Sequence, residues 1–313
     1  MTNRQLEVFL AVARERSFSR AAQKIHLSQP TLSEHVRELE KELGRPLFVR
    51  RGRVIALTEA GRVFEPCAVR AVAAVEDARR AVVELDGLVR GSLLVGASTT
   101  PGIYVLPAIV AAFRQRHPGV EIALRIGNSR VIEERIRANE LDLGVVGGHG
   151  LMPGERCLAA GLLDELVLVV SPRHAWAGRR DVPPAWLADQ PLLLREEGSA
   201  TRQVTERALQ AAGVKVGPAL ELDHTEAIKQ AVMAGLGAAF ISVYAVRGEL
   251  ETRRLRALRL RGMRIRRHFH VLHNEVRAIS ASAAAFVALL AVPPRTLRRG
   301  GEPHASRPVY RER

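Results

Sequence analysis

The spacing of apolar residues changes once along this 313-residue chain, near residue 90, and the change decides what each part can fold into. Up to Leu85 the apolar positions recur mainly every three or four residues. From Ser92 they come as short Val, Leu and Ile runs separated by helical stretches. The first pattern builds helices with one buried stripe; the second builds a parallel sheet with helices on its faces.

In the first part, Leu6, Phe9, Leu10 and Ala13 put one stripe on a helix from about Asn3 to Arg16. Ser17 or Ser19 can cap the next helix, whose small residues Ala21 and Ala22, with Ile25, allow close approach. Ser28 is a second N-cap, Pro30 sits where its missing N–H costs nothing, and Leu32, Val36, Leu39 and Leu43 form a core stripe ending at Gly44. Away from that stripe lie Gln29, Thr31, Ser33, Glu34 and Arg37, polar groups crowded near a helix N-terminus. Two short helices at this spacing read as a helix-turn-helix, in which such groups face a DNA groove and the first-turn N–H groups favour phosphate. A solvated surface helix is the plainer reading. The next segment weakens it: Leu47, Phe48 and Val49, then Arg50, Arg51, Gly52 and Arg53, then Val54, Ile55 and Leu57, make two strands flanking a basic tip that suits phosphate or the minor groove. The expected DNA-contacting set is Ser28, Gln29, Pro30, Thr31, Ser33, Glu34, Arg37, Arg50, Arg51 and Arg53.

After Thr58, Gly61, Phe64, Ala68, Ala71, Val75, Ala78, Val82 and Leu85 alternate spacings of three and four. Sustained over more than three heptads, this predicts a helix of some 27 residues, ended by Gly87, that pairs with a second copy of itself. The alternative is a helix packed on its own domain. Pro66 predicts a mild kink near Ala68. A two-fold pair of recognition helices would read an interrupted palindrome in double-stranded DNA.

In the second part, strands are expected at 93–97, 120–126 and 141–147, then at 165–170, 191–195, 219–223 and 238–242, with a late strand at 269–273 returning to the first set. Helices are expected at 101–116, 129–138, 201–212, 225–235 and 276–291. Such a double crossing makes two lobes with a cleft at the carboxyl ends of the strands. Two turns there combine a strand end, hydroxyls and a helix start: Ser98, Thr99 and Thr100 before Pro101, with Thr100 as cap, and Gly198, Ser199, Ala200, Thr201 and Arg202 from the other lobe. Together they suit a carboxylate, sulfate or phosphate; plain helix capping is the competing reading. Gly147 and Gly148 allow backbone approach to a ligand, and Thr225 is a weaker pocket candidate. Glu197 beside the second turn leaves the charge of the pocket open.

The net charge of +14 suits a polyanionic partner. Residues 1–57 hold 11 Lys plus Arg against 6 acids, but residues 246–268 hold 9 against 2. The arginines at 253, 254, 256, 259, 261, 264, 266 and 267 read as a solvated basic surface, or more sharply as a contact for bent DNA or an acidic neighbouring subunit. Cys67 and Cys157 have no metal or disulfide spacing and read as packing residues. There is no 18-residue apolar stretch and no basic-plus-apolar leader, so a cytoplasmic protein with no membrane partner is expected. No catalytic triad order, metal spacing or phosphate loop is visible, so catalysis is rejected and neither cofactor nor metal is expected. The Pro-, Gly- and Arg-rich segment 293–313 is expected to be a disordered basic tail.

The ordered set FSRAA, LSQPTLSEHVRELEKELG, LF-R-R and LTEAG between Phe18 and Gly61 resembles the N-terminal domain of the LysR-type transcriptional regulators. The likeness extends through ASTTPGIYVLPAIVAAFRQRHPGVEI, ELDLGVVGG, REEGSATR and EAIKQAVMAGLGAAFIS, leaving out only the tail. Glu34, His35 and Val36 depart from the family, where a basic or polar residue and then isoleucine are more usual, which bears on the bases read. ASTTPG with REEGSATR looks most like regulators of carbon fixation and of inorganic sulfur or nitrogen assimilation.

The resemblance implies a winged helix-turn-helix (1–58), a dimerising linker helix (59–90) and a two-lobed α/β effector domain like the periplasmic binding proteins. Lobe I is expected at 91–164 and 268–292, and lobe II at 165–267. It implies a homotetramer, a dimer of dimers, switched on DNA by a small anionic or phosphorylated metabolite and working with RNA polymerase. The alternatives are an architectural DNA-binding protein with a non-responsive sensor domain and a free solute-binding protein.

Overall fold

The computed structural model describes residues 1–51, 54–83, 91–148, 153–217 and 219–291. Arg53, Leu85 and Gly87, and the segment 293–313, for which the sequence carries expectations, lie outside the described residues. The chain divides into two compact units, Met1–Leu85 with Val276–Ser280, and Asp86–Glu275 with Ala281–Arg313.

The first unit contains α1 (Asn3–Glu15), α2 (Phe18–Lys24), α3 (Gln29–Leu43), the hairpin β1 (Phe48–Arg51) and β2 (Val54–Leu57), and α4 (Glu59–Val83). Local chemistry sets the helix ends. Thr2 and Gln5 form a reciprocal capping box, Ser17 accepts from Arg20 N, Ser28 accepts from Thr31 N, and Gly44 closes α3 at φ 66°. Val8, Val12, Ala21, Ala22, Leu32 and Val36 form one part of the core; Leu6, Phe9, Leu39, Leu47 and Ala68 form the other. Glu40 Oε1 accepts from Leu47 N at 2.6 Å and Phe48 N at 3.2 Å, which ties the start of the hairpin to α3.

Three expectations change here. Leu43 is 39% exposed, because after the Gly44 turn Leu47 joins Leu39 and Phe9 in the core instead. Phe64, Ala68 and Ala71 do not form a free seam: they pack on α1 within the chain, with the Phe64 ring edge-on to Phe9 at 5.1 Å. Val75, Ala78 and Val82 are exposed, so the later part of the heptad pattern is the more open part. Cys67, expected to pack, is exposed on α4, which contains Pro66.

Gly61 is needed where α4 passes the wing: a Cβ there would press on the Leu47 carbonyl oxygen and lie 2.9 Å from Leu57 Cδ2. Gly61→Ala is therefore expected to destabilise this unit by about 1–3 kcal/mol, as overpacking against backbone does. Denaturant unfolding of the two proteins measures it.

The second unit opens with β3 (Gly91–Ser98), α5 (Thr99–Tyr104), α6 (Leu106–Arg116), β4 (Val120–Gly127), α7 (Ser129–Arg137) and β5 (Leu143–Gly147). A long strand β6 (Glu155–Val170) then leads to β7 (Asp181–Val182), a 3-10 turn at Pro184–Asp189, β8 (Leu192–Arg195), α8 (Ala200–Ala211), β9 (Ala219–Leu222), α9 (Thr225–Met233) and β10 (Ala238–Ser242). The remaining elements are α10 (Val243–Glu251), β11 (Arg256–Leu260), β12 (Ile265–Asn274) and α11 (Ala281–Ala291). The sheet order is β4-β3-β5-β12-β6-β10-β8-β9, with β11 beside β6 and β7 beside β11. Strands β3, β4 and β5 are mutually parallel, as are β8, β9 and β10, while β6 and β12 run antiparallel to their neighbours and connect the two groups.

Two lobes result. In lobe I, Leu93, Val95, Ile109 and Phe113 pack with Phe269 and Val271 of β12 and Phe286 of α11, so the late chain does return to the first set. Lobe II has a core on each face of its strands, one around Leu168, Trp176 and Phe240, the other around Val169, Ile228 and Ile241.

Two boundaries and one surface assignment differ from expectation. The helix expected at 101–116 is two, α5 and α6, because Pro107 in the first turn of α6 cannot donate to a carbonyl one turn back. The helix expected from 276 starts at Ala281. Of the arginines expected on a solvated basic surface, those at 253, 254, 256, 259, 261, 264 and 266 are exposed and Arg267 is buried on β12.

Candidate functional site

On the first unit, α3 presents Ser28, Gln29, Pro30, Thr31, Glu34 and Arg37 to solvent, with Ser33 half-buried. Gln29 accepts from the Ser19 hydroxyl at 2.8 Å, which holds its amide at the start of the helix. Ser28 is engaged as the cap, its hydroxyl 2.7 Å from that of Thr31. Arg37 pairs with Glu34 at 2.9 Å on an exposed face, a contact weak enough for the guanidinium to exchange onto a base or phosphate. Arg50 is exposed, and Arg51 lies with it on β1.

In the second unit, a small open cleft lies where β3 and β8 end. Its walls are Ser98, Thr99 and Thr100 after β3, Asn128 and Ser129 at the start of α7, Ser199, Ala200 and Thr201 at the start of α8, and the two arginines Arg195 and Arg267. Neither Ser98 nor Ser199 caps its helix through its side chain. Asn128 does cap α7, accepting from Val131 N at 3.0 Å.

The arginines organise the cleft, and both are buried, Arg195 at 5% and Arg267 at 6% exposure. Arg267 donates from Nε to Asp164 Oδ2 at 2.8 Å, from Nη1 to Thr201 at 3.0 Å and from Nη2 to Thr100 at 3.3 Å. Arg195 donates from Nη1 to Thr225 at 2.7 Å and from Nη2 to Thr99 at 3.3 Å, while Glu196 takes Nε at 2.7 Å. Each guanidinium therefore has one carboxylate, and the local charge balances. A threonine hydroxyl that accepts from a guanidinium still has its own proton to donate. Thr100 and Thr201 are thus polarised donors lining a small polar cleft, beside the N–H groups that begin α8. Asp164 is fully buried and also accepts from the Ser242 hydroxyl at 2.7 Å. Burial pushes its carboxyl above the ordinary range, against the pull of Arg267 and Ser242.

The sequence-expected residues divide accordingly. Ser98, Thr99, Thr100, Ser199 and Thr201 come together in the cleft wall. Thr100 lies inside α5 rather than capping it, because Ser98 holds the cap position. Thr225 is buried behind the wall, where it holds Arg195. Gly147 and Gly148 serve Arg267: a Cβ on Gly147 would lie 3.0 Å from the guanidinium carbon, and Gly148, at φ 61°, donates to His268 O at 2.9 Å. Arg202 is not in the wall; it bonds Glu206 at 2.8 Å and also Glu221 and the Arg195 carbonyl. Glu197 points outward and pairs with Arg130 of lobe I at 3.4 Å. Arg195, Arg267, Asp164, Asn128 and Ser129 fall outside the sequence-expected set, and Arg267 leaves the solvated basic surface to which its neighbours assign it.

Away from the cleft, Glu133 on α7 is buried close to Glu155 and Arg137, and desolvation with the Glu155 charge pushes its carboxyl to about 7. Its folded pKa thus lies above the unfolded 4.5, so the stability it contributes is present below pH 4.5 and is lost as pH rises through about 7. Glu133→Gln is expected to be near neutral at pH 5 and to stabilise by about 2 kcal/mol at pH 8, with one pKa unit taken as about 1.4 kcal/mol. Thermal unfolding across that range measures it.

Comparison with known proteins places both units. Residues 3–62 match the bacterial regulatory helix-turn-helix protein, lysR family, and residues 86–292 match the LysR substrate binding domain. The RuBisCO operon transcriptional regulator of Allochromatium vinosum is 38% identical over 288 residues, covering 90% of this chain and 93% of the relative. The HTH-type transcriptional activator CmpR of Synechocystis sp. is 33% identical, covering 91% and 93%. Among solved structures, the regulatory domain of Synechocystis CcmR in complex with 2-PG is 28% identical with a TM-score of 0.60, covering 65% of this chain and 97% of that one. A full-length OxyR from Pseudomonas aeruginosa, 22% identical and covering 93% and 94%, shares the fold at a TM-score of 0.70. The chain belongs to the LysR family of bacterial transcriptional regulators, with a helix-turn-helix and a substrate-binding domain in one polypeptide.

Proposed function

We propose that the cleft binds a small anionic metabolite, and that the occupied cleft changes how a DNA-bound oligomer of this regulator sits on its promoter. The observation that carries the reading is the pair of buried guanidiniums, Arg195 and Arg267, set among hydroxyl donors at the start of α8. CcmR, related over the same domain, was solved with 2-PG, and two relatives are named for the RuBisCO operon, so a phosphorylated acid of carbon metabolism is the favoured class. The regulator acts on double-stranded DNA through Gln29, Thr31, Ser33 and Arg37, with Arg50, Arg51 and Arg53 on the wing. Val75, Ala78 and Val82 supply the apolar part of the dimer contact, and two dimers form the tetramer. It works in the cytoplasm with RNA polymerase, without cofactor or enzymatic step; no helix among the described residues is long and apolar enough to cross a membrane.

Anion binding shifts an equilibrium between lobe arrangements only as far as its affinities for them differ. Calorimetric titration of 2-PG, inorganic phosphate and sulfate into the full-length protein tests the first half of this reading. Saturable one-site binding of at least one of them supports it; no heat from any of them contradicts it.

A further inference from the structure

The outer edge of lobe II carries more positive charge than its own carboxylates can balance. Asp181 pairs with Arg261 at 3.0 Å, Glu165 with Arg266 at 3.2 Å, Glu251 with Arg247 at 2.9 Å and Glu249 with Lys229 at 2.7 Å. Those pairs engage four acids of this region, and one further acid, Asp189 after β7, is exposed. Arg173, Arg180, Arg254, Arg256 and Arg264 are exposed and form no ion pair among the described residues.

The topology brings them together. Arg256 on β11 is in register with Val170, three residues before Arg173 at the end of β6. Arg259 N donates to Arg180 O at 3.2 Å as β7 aligns with β11, and Arg264 stands in the β11–β12 turn closed by the Leu260–Met263 bridge. Among the described residues, no large apolar side chain is exposed between 171 and 182 or between 252 and 264. A protein-docking face has an apolar, often aromatic, core inside a polar rim, whereas a face for nucleic-acid backbone is polar and strongly positive. This edge has the second composition.

We propose that the β7–β11 edge of lobe II is an auxiliary contact for the phosphate backbone of duplex DNA, separate from the helix-turn-helix and from the anion cleft. Exposed guanidiniums there would neutralise phosphates without reading bases, adding affinity and salt dependence but no sequence preference.

The test is a full-length variant with Arg173, Arg180, Arg256 and Arg264 all changed to Gln, compared with the wild type on a random-sequence duplex of about 40 base pairs between about 50 and 200 mM salt. Each phosphate contact contributes about 0.9 to the slope of log affinity against log salt, so the slope should become shallower by about 2–4 and affinity at the higher salt should fall at least about tenfold. An unchanged melting temperature shows that the variant is folded, and the binding that it retains reports the helix-turn-helix without the edge. An unchanged slope and affinity overturn the proposal. So does an unchanged slope accompanied by lost binding to polyglutamate, the behaviour of a face built for an acidic protein.

Discussion

Replacing Arg267 by Met should be the most damaging single change in the second unit, costing about 3–5 kcal/mol, because it strands a fully buried carboxylate. Asp164 has no exposed surface, and its counter-charge is the Arg267 guanidinium 2.8 Å away. Burial already raises its pKa, so without Arg267 the group should hold a proton well above the ordinary carboxylate range. Since a raised folded pKa means stability lost as pH rises, the variant's deficit should be largest near pH 8 and shrink toward pH 5. Unfolding melts of Arg267→Met against wild type across that range give both numbers. A double variant, Arg267→Met with Asp164→Leu, should recover most of the stability, because a buried ion pair replaced by apolar groups of similar volume is often neutral. It should not recover anion binding, which separates the fold from the function of this pair.

The second large effect is expected at Arg195. It is buried at the end of β8, fixed by Thr225 and Glu196, and bonded to Thr99 across the cleft. Arg195→Gln keeps a hydrogen-bonding side chain but removes the charge and the fork, and truncating a buried charge partner of a ligand typically costs about 2–5 kcal/mol of affinity. We expect 2-PG affinity to fall at least about 30-fold, with binding to random-sequence DNA unchanged. Calorimetry on the full-length variant, beside a DNA-binding assay of the same preparation, checks both. A fall of less than about threefold would remove Arg195 from the anion site.

Whether a feature is legible in the sequence depends on whether the interactions that make it are local. The helix ends in the first unit depend on Ser17, Ser28 and Gly44, each acting within four residues of itself, and the periodicity around them is helical. The alternation of strands and helices after Ser92 is equally local, so the two-lobed fold can be read, including the return of the late strand. The linker is harder. A heptad stripe states that a face is covered but not by what, and α1 of the same chain covers Phe64, Ala68 and Ala71.

The cleft divides the same way. Hydroxyls beside helix starts are visible in sequence because the turn itself places them, as it does Ser98, Thr99, Thr100, Ser199 and Thr201. Arg202 is in the same local pattern, but a helical residue's direction depends on its neighbours, and Glu206 and Glu221 draw it away. Arg267 is hidden by its company among eight other arginines between 246 and 268. One signal is present: Ile265, Arg267, Phe269 and Val271 share strand parity, so Arg267 sits on the buried face of β12. A charged residue on the apolar parity of a strand is a binding-site candidate by the cost of burying it. Arg195, closing the run Leu192, Leu193, Leu194, carries the same signal. Asp164 cannot be paired with Arg267 from sequence, since 103 residues separate them.

The central claim is that an anion held by Arg195 and Arg267 changes the arrangement of the regulator on DNA. The most direct measurement is nuclease footprinting with bend-angle analysis on the promoter beside its own gene, with and without saturating 2-PG, for wild type and for the Arg267→Met, Asp164→Leu variant. The account predicts that 2-PG shifts the protected region or the bend angle for wild type and does neither for the variant, although both bind the site. Identical footprints and bend angles with and without 2-PG, in a wild-type protein shown by calorimetry to be saturated, would contradict it.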